Sequence, residues 1–170
     1  PQLAPTINDL LKQFATHDDV CTLLLKLIWQ GQISGSTQAA LSLAMDNRVS
    51  SYVRICAIRA VVAAGTTRQH RDLVNALLTN ITKLDPDILG EICEAFFPDI
   101  LSAQQILEIL ATTNLPVRYS STPLQQSLED ICNTALQDSI AEELVRGIHK
   151  LLKTQPFIER RHCEISERYA

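Results

Sequence analysis

Cysteine recurs in this chain at intervals too wide for a metal site or a disulfide framework and too regular for a single compact motif. Cys21, Cys56, Cys93 and Cys132 are 35, 37 and 39 residues apart, within the segments 20–25 (VCTLLL), 55–60 (ICAIRA), 91–97 (EICEAFF) and 130–136 (DICNTAL). Each of the four follows a Val or Ile. Each has an apolar residue four positions later (Leu25, Ala60, Phe97, Leu136) and a charge two positions earlier (Asp19, Arg54, Glu91, Asp130). A small, a branched apolar and a charged position repeating together is the pattern of stacked supersecondary units, each too short to bury its own apolar face and each covered by its neighbours. Cys163, 31 residues beyond Cys132, falls short of that interval. The odd count and the absence of a CxxC pair point to small buried thiols in a reducing compartment, the cytoplasm, and away from zinc.

The stretch 46–65 (DNRVSSYVRICAIRAVVAAG) holds the clearest unit. Tyr52, Ile55, Cys56, Ala60 and Val61 share one helical face, with Ser51, Arg54 and Arg59 off it. Ala57, Ala60, Ala63 and Ala64 allow a second helix to approach closely, and Gly65 stands where a left-handed residue would end the helix. The LxLAxD turn at 41–46, the Val53–Arg54 pair and the Ala-rich helix ending in Gly resemble the second half of a HEAT repeat. Asp46 and Arg54 are eight residues apart where that family has them closer, and the family's turn proline is missing. The resemblance implies an all-α, right-handed α-solenoid of about five antiparallel helix pairs. The alternative is a compact helical bundle.

Helix boundaries follow from capping chemistry. Thr6, with Asp9 three residues on, reads as the N-cap of a first helix. Asp18 opens a second that runs through Trp29 to Gly31. Ser36 or Thr37 opens a short third over 39–45, and Thr67 opens a longer one containing Leu73, Val74, Leu77, Leu78 and Ile81. Asp85-Pro86 starts the next, because proline suits the first helical turn, and Pro98 stops it. Ser102 caps 104–113. The segment 114–121 (NLPVRYSS) is the longest break, after which Thr122-Pro123 begins a helix to Leu136. Ser139 starts a last helix with a stripe of Ile140, Leu144, Ile148, Leu151 and Leu152, acids leading and bases trailing as the helix dipole favours. No linker divides the chain, so residues 1–170 read as one helical-repeat domain with an incomplete last repeat at 139–170. Pro1 in place of Met and the polar tail after Pro156 are expected of a fragment of a longer protein.

Composition supports this reading. Of 170 residues 46% are hydrophobic, chiefly aliphatic, while eight aromatics and five glycines are too few for an all-β fold. No apolar run is long enough to span a membrane. Charge is unevenly spread: 46–83 carries six bases and two acids, whereas 85–143 carries eleven acids and one base, Arg118. A polarised stack steers a charged partner. A net charge of −4 disfavours general nucleic-acid binding, and no aromatics interleave the basic stretch to stack bases.

Catalytic constellations are missing. His17, His70, His149 and His162 lack HxxxH or HExxH spacing, and His17-Asp18-Asp19 reads better as an acidic helix start than as a metal site. The adjacent Glu142 and Glu143 diverge by about 100° on a helix, and 31–36 (GQISGS) lacks the lysine of a phosphate loop. A HEAT-like DNA glycosylase needs a basic concave face with aromatics and a carboxylate, yet Trp29 lies away from the basic half. The expectation is therefore a non-enzyme without cofactor, a scaffold or protein-interaction module. Its contacts fall on the second helices that line the concave face of such arrays: Arg48, Arg54, Arg59, Glu91, Glu94 and Asp130. Asp19, Arg54, Glu91 and Asp130 form a possible charge ladder between neighbouring second helices. The alternative function is nucleic-acid contact through 48–71, as the sensor region of a larger NTPase or defence protein.

Overall fold

A computed structural model describes residues 3–113, 122–133 and 137–154, and among these residues all regular structure is helical. The first four α-helices are α1 (Leu3–Gln13), α2 (Asp18–Gly31), α3 (Thr37–Met45) and α4 (Ser51–Ala64). They are followed by α5 (Thr67–Leu78), α6 (Pro86–Phe96) and α7 (Ala103–Thr112). Helices α8 (Pro123–Asn133) and α9 (Asp138–Thr154) complete the order, with short 3-10 turns at Ser34–Ser36 and Ile81–Lys83. The expected break at 114–121, Leu136 and the tail after Pro156 lie outside the described residues.

Local chemistry explains most of the starts. Ser50 caps α4 by accepting from the Val53 N–H, and Asp85 caps α6 from the Asp87 N–H with Pro86 at the first helical position. Reciprocal capping boxes open α5 (Thr66 with Gln69) and α7 (Ser102 with Gln105), each satisfying two amides that the helix geometry orphans. The α5 cap is thus Thr66, one residue before the expected Thr67.

Two expected boundaries are corrected. Helix α1 begins at Leu3, so Thr6 lies inside it. Pro5 is tolerated there because the first-turn amides have no intrahelical acceptor. Gly65 is extended, with φ −88° and ψ 171°, not left-handed. What its position requires is space: an added Cβ would sit 2.4 Å from the Val61 carbonyl oxygen, which accepts from the Gly65 N–H and lies 3.0 Å from the His70 ring. The left-handed residue is instead Gln32 at the end of α2, with φ 48°. There the Ile33 N–H reaches back to the Ile28 carbonyl in the wide bond of a Schellman ending.

Packing follows a regular order. Helix α2 packs on α4, α4 on α6 and α6 on α8, while α3 meets α5 and α7 meets α9. Lys26 lies over Tyr52 and Trp29 under Arg59, so α2 and α4 run the same way. Ser51 bonds Asp85 and Arg59 bonds Glu91, so α4 and α6 do too. Helices α3 and α4 are antiparallel and joined at both ends. The Thr37 hydroxyl lies 3.0 Å from the Ala64 carbonyl at one end, and Arg54 Nε donates to the Ala44 carbonyl at 3.0 Å at the other.

With neighbours on several sides, α4 buries Val53, Arg54, Cys56, Ala57, Ile58, Ala60 and Val61. This corrects the single apolar face read from the sequence. Tyr52, expected inside, is 55% exposed, and Arg54, expected outside, is 6% exposed. A helix enclosed by several partners has no single apolar stripe to read. The repeating thiols Cys21, Cys56 and Cys93 are free and buried, and burial pushes the Cys93 thiol up to about 12. Cys163 and the side chain of Cys132 lie outside the described residues.

Between α6 and α8 the approach is backbone to backbone. A Cβ on Gly90 would come within 2.7 Å of the Pro123 carbonyl carbon and the Leu124 nitrogen, and the buried Ser127 hydroxyl lies 3.0 Å from the Gly90 carbonyl. Replacing a helical glycine with alanine ordinarily gains about 1 kcal/mol, but forcing a methyl into packed backbone costs about 1–3 kcal/mol. Gly90→Ala is expected to lower the urea unfolding free energy by up to about 2 kcal/mol on balance. A raised midpoint would show that α8 does not lie against Gly90.

Candidate interaction cleft

Three helices that follow one another in the packing each leave one edge uncovered. Helix α4 presents Tyr52, Ile55 and Arg59. Helix α6 presents Asp87, Gly90, Glu91 and Glu94, and α8 presents Pro123, Gln126, Ser127 and Asp130. On each helix these positions fall at i, i+3 or i+4 and i+7, the spacing of a single face. Together they line an open cleft of about 380 Å³.

The cleft is acidic and partly apolar. Among the described residues, four carboxylates, Asp87, Glu91, Glu94 and Asp130, line it with one guanidinium, Arg59. Arg59 grips Glu91 in a two-pronged ion pair, Nε to Oε1 at 2.8 Å and the terminal nitrogen to Oε2 at 2.7 Å. The Glu91 side chain is 11% exposed and that of Arg59 41%. The hydrogen-bonded carboxylate holds the Arg59 pKa above its ordinary value. The same guanidinium stands 5.6 Å from the Trp29 ring centroid, and the Lys26 ammonium 5.9 Å from that of Tyr52, both within cation–π range. Aromatic faces and carboxylates thus already hold cations along this edge.

The six expected contact residues divide. Arg59, Glu91, Glu94 and Asp130 line the one cleft. Arg48 lies elsewhere, folded back on Asp46 at 2.8 Å in the turn before α4. Arg54 is the correction: it is buried, and its guanidinium serves the C-terminal end of α3, where a carbonyl without an intrahelical partner and the helix dipole favour a cation. Desolvation lowers its pKa, while Asp46 and Asp85 oppose that shift. The expected ladder of Asp19, Arg54, Glu91 and Asp130 is accordingly not built, because Glu91 pairs with Arg59 and Asp19 is exposed on α2.

Sequence reasoning missed Tyr52, Ile55, Asp87, Gly90, Pro123, Gln126 and Ser127. The signal was the i, i+3, i+7 spacing around the four contact positions that line the cleft. Which face of each helix stays uncovered depends on tertiary packing. His17 precedes α2 and meets Phe14 edge-on, with ring centroids 5.8 Å apart. Among the described residues no three His, Cys, Asp or Glu side chains converge as a metal cage would require, and no helix is long and apolar enough to cross a membrane.

No family model, curated protein or solved structure matches the chain.

Two measurements test this local electrostatics. Arg54→Met should lower stability by about 1.5–3 kcal/mol, the usual worth of a hydrogen bond to a charged group. Arg54→Glu should lower it further, because it buries a carboxylate beside Asp46 and Asp85. An Arg54→Glu protein that unfolds at the wild-type denaturant concentration would refute the buried seat. Arg48 holds the Asp46 carboxyl below its ordinary 3.8, at about 2. A depressed acid pKa contributes stability above the ordinary value, and that contribution is lost as pH falls through about 2. NMR titration should place the Asp46 midpoint near there in the wild type and return it toward 3.8 in Arg48→Ala.

Proposed function

We propose that the chain is a HEAT-like α-solenoid module, a non-enzymatic scaffold that receives a partner protein in the α4–α6–α8 cleft. One observation carries the reading. Three helices, α4, α6 and α8, place the same i, i+3, i+7 face on one continuous opening, and α4 is paired with its counter-running predecessor α3. Repeating units that stack side by side build a long binding surface in this way, one face per unit. Parallel packing of α2 on α4 and α4 on α6 supports stacked pairs over an up-and-down bundle, in which neighbouring helices alternate in direction. The exposed Tyr52 supplies the large, stiff, amphipathic contact that protein interfaces favour.

The arginines of 48–71 give less support to nucleic-acid contact. Arg48 is paired with Asp46, Arg54 is buried, Arg59 is held by Glu91, and Arg68 lies 3.9 Å from Asp72. Four of the five arginines are therefore engaged within the fold.

A random peptide display library panned against the whole chain tests the reading. Selected peptides, measured by fluorescence anisotropy, should bind Tyr52→Ala at least tenfold more weakly than wild type. Gln104→Ala, on the exposed side of α7, should leave binding unchanged. Panning that yields no peptide dependent on Tyr52 would defeat the reading.

A further inference from the structure

We infer that the segment received by this cleft is basic: a stretch of a partner protein with lysines or arginines spaced to meet separate carboxylates, and an apolar residue for the floor. The inference rests on the cleft being a protein-binding site and adds the chemistry of its occupant.

Among the described residues of the lining, four side chains are carboxylates and one is a guanidinium. Glu91 is paired with Arg59, while Asp87 and Glu94 are exposed on the same opening. A concave site of one charge sign concentrates its field outward and draws ligands of the opposite sign, while like charge brought against it is costly.

The carboxylates of the lining do not converge as a cation cage does. Asp87 and Glu94 stand two helical turns apart on α6, and Asp130 faces them from α8. Groups about 10 Å apart along a helix suit successive side chains of a peptide better than a single ion. Arg59, bound in a two-pronged grip by Glu91 and lying over Trp29, is an arginine of this chain seated as an incoming one would be. Tyr52 and Ile55 beside it offer apolar surface for the stem of a lysine or arginine, or for a neighbouring aliphatic residue.

The test uses the whole chain and three fluorescent probes: a short peptide of alternating arginine and leucine, the same peptide with glutamate for arginine, and a short DNA duplex. The basic peptide should bind, with affinity falling steeply as salt rises. The acidic peptide and the duplex should bind at least tenfold more weakly. Asp87→Asn with Glu94→Gln, both exposed positions that leave the Arg59–Glu91 pair intact, should weaken the basic peptide at least tenfold; Tyr52→Ala should weaken it as well. Equal binding of the acidic peptide or the duplex, or indifference of the basic peptide to loss of the two carboxylates, overturns the inference. Library peptides that depend on Tyr52 but are neutral or acidic would overturn it while leaving the cleft a protein-binding site. Library peptides with no dependence on Tyr52 would remove both.

Discussion

The pair of helices α3 and α4 is tied at both ends through backbone carbonyls that a helix cannot satisfy by itself. The last turn of every α-helix leaves carbonyl oxygens without a partner inside the helix. Here Thr37, at the first position of α3, reaches the Ala64 carbonyl at the end of α4, and Arg54, in the first turn of α4, reaches the Ala44 carbonyl at the end of α3. Each helix thus uses its start to complete the other's finish. Because α4 also packs on α2 and α6, this tie sets the frame from which the neighbouring helices take their places.

Arg54 also shows why a buried charge is tolerable at this point. Its head donates to a carbonyl at the negative end of a helix, and two carboxylates, Asp46 and Asp85, contribute favourable potential. Asp85 is itself occupied as the cap of α6 and as acceptor for the Ser51 hydroxyl at 2.7 Å. The start of α4, the end of α3 and the start of α6 therefore share one small set of polar groups, in which each member has a use beyond charge balance.

Much of this was legible in the sequence. Asp85-Pro86 and Ser102 mark helix starts through chemistry confined to one turn, and both cap where expected. The thiols Cys21, Cys56 and Cys93 fall on α2, α4 and α6 and are buried there, as small residues repeating along one series of helices should be. The errors at Tyr52 and Arg54 have one source. Both follow from the pattern of their own helix, whereas their surroundings come from α2, α3 and the start of α6. Arg54 looked like a surface charge because its acceptor, Ala44, lies across a turn in another helix. The cleft was half legible for the same reason: residue types and spacing were visible, but not which faces the packing would leave open.

The two seams beneath the cleft differ in kind. At the α6–α8 seam main chain lies against main chain, with Gly90 admitting the Pro123–Leu124 peptide where no side chain fits. At the α4–α6 seam the polar links are side chains, Ser51 to Asp85 and Arg59 to Glu91. A joint of rotatable side chains yields by changing rotamers, whereas one of apposed backbone yields only by moving a whole helix. The cleft therefore has one wall set by backbone contact and one set by side chains that can change rotamer.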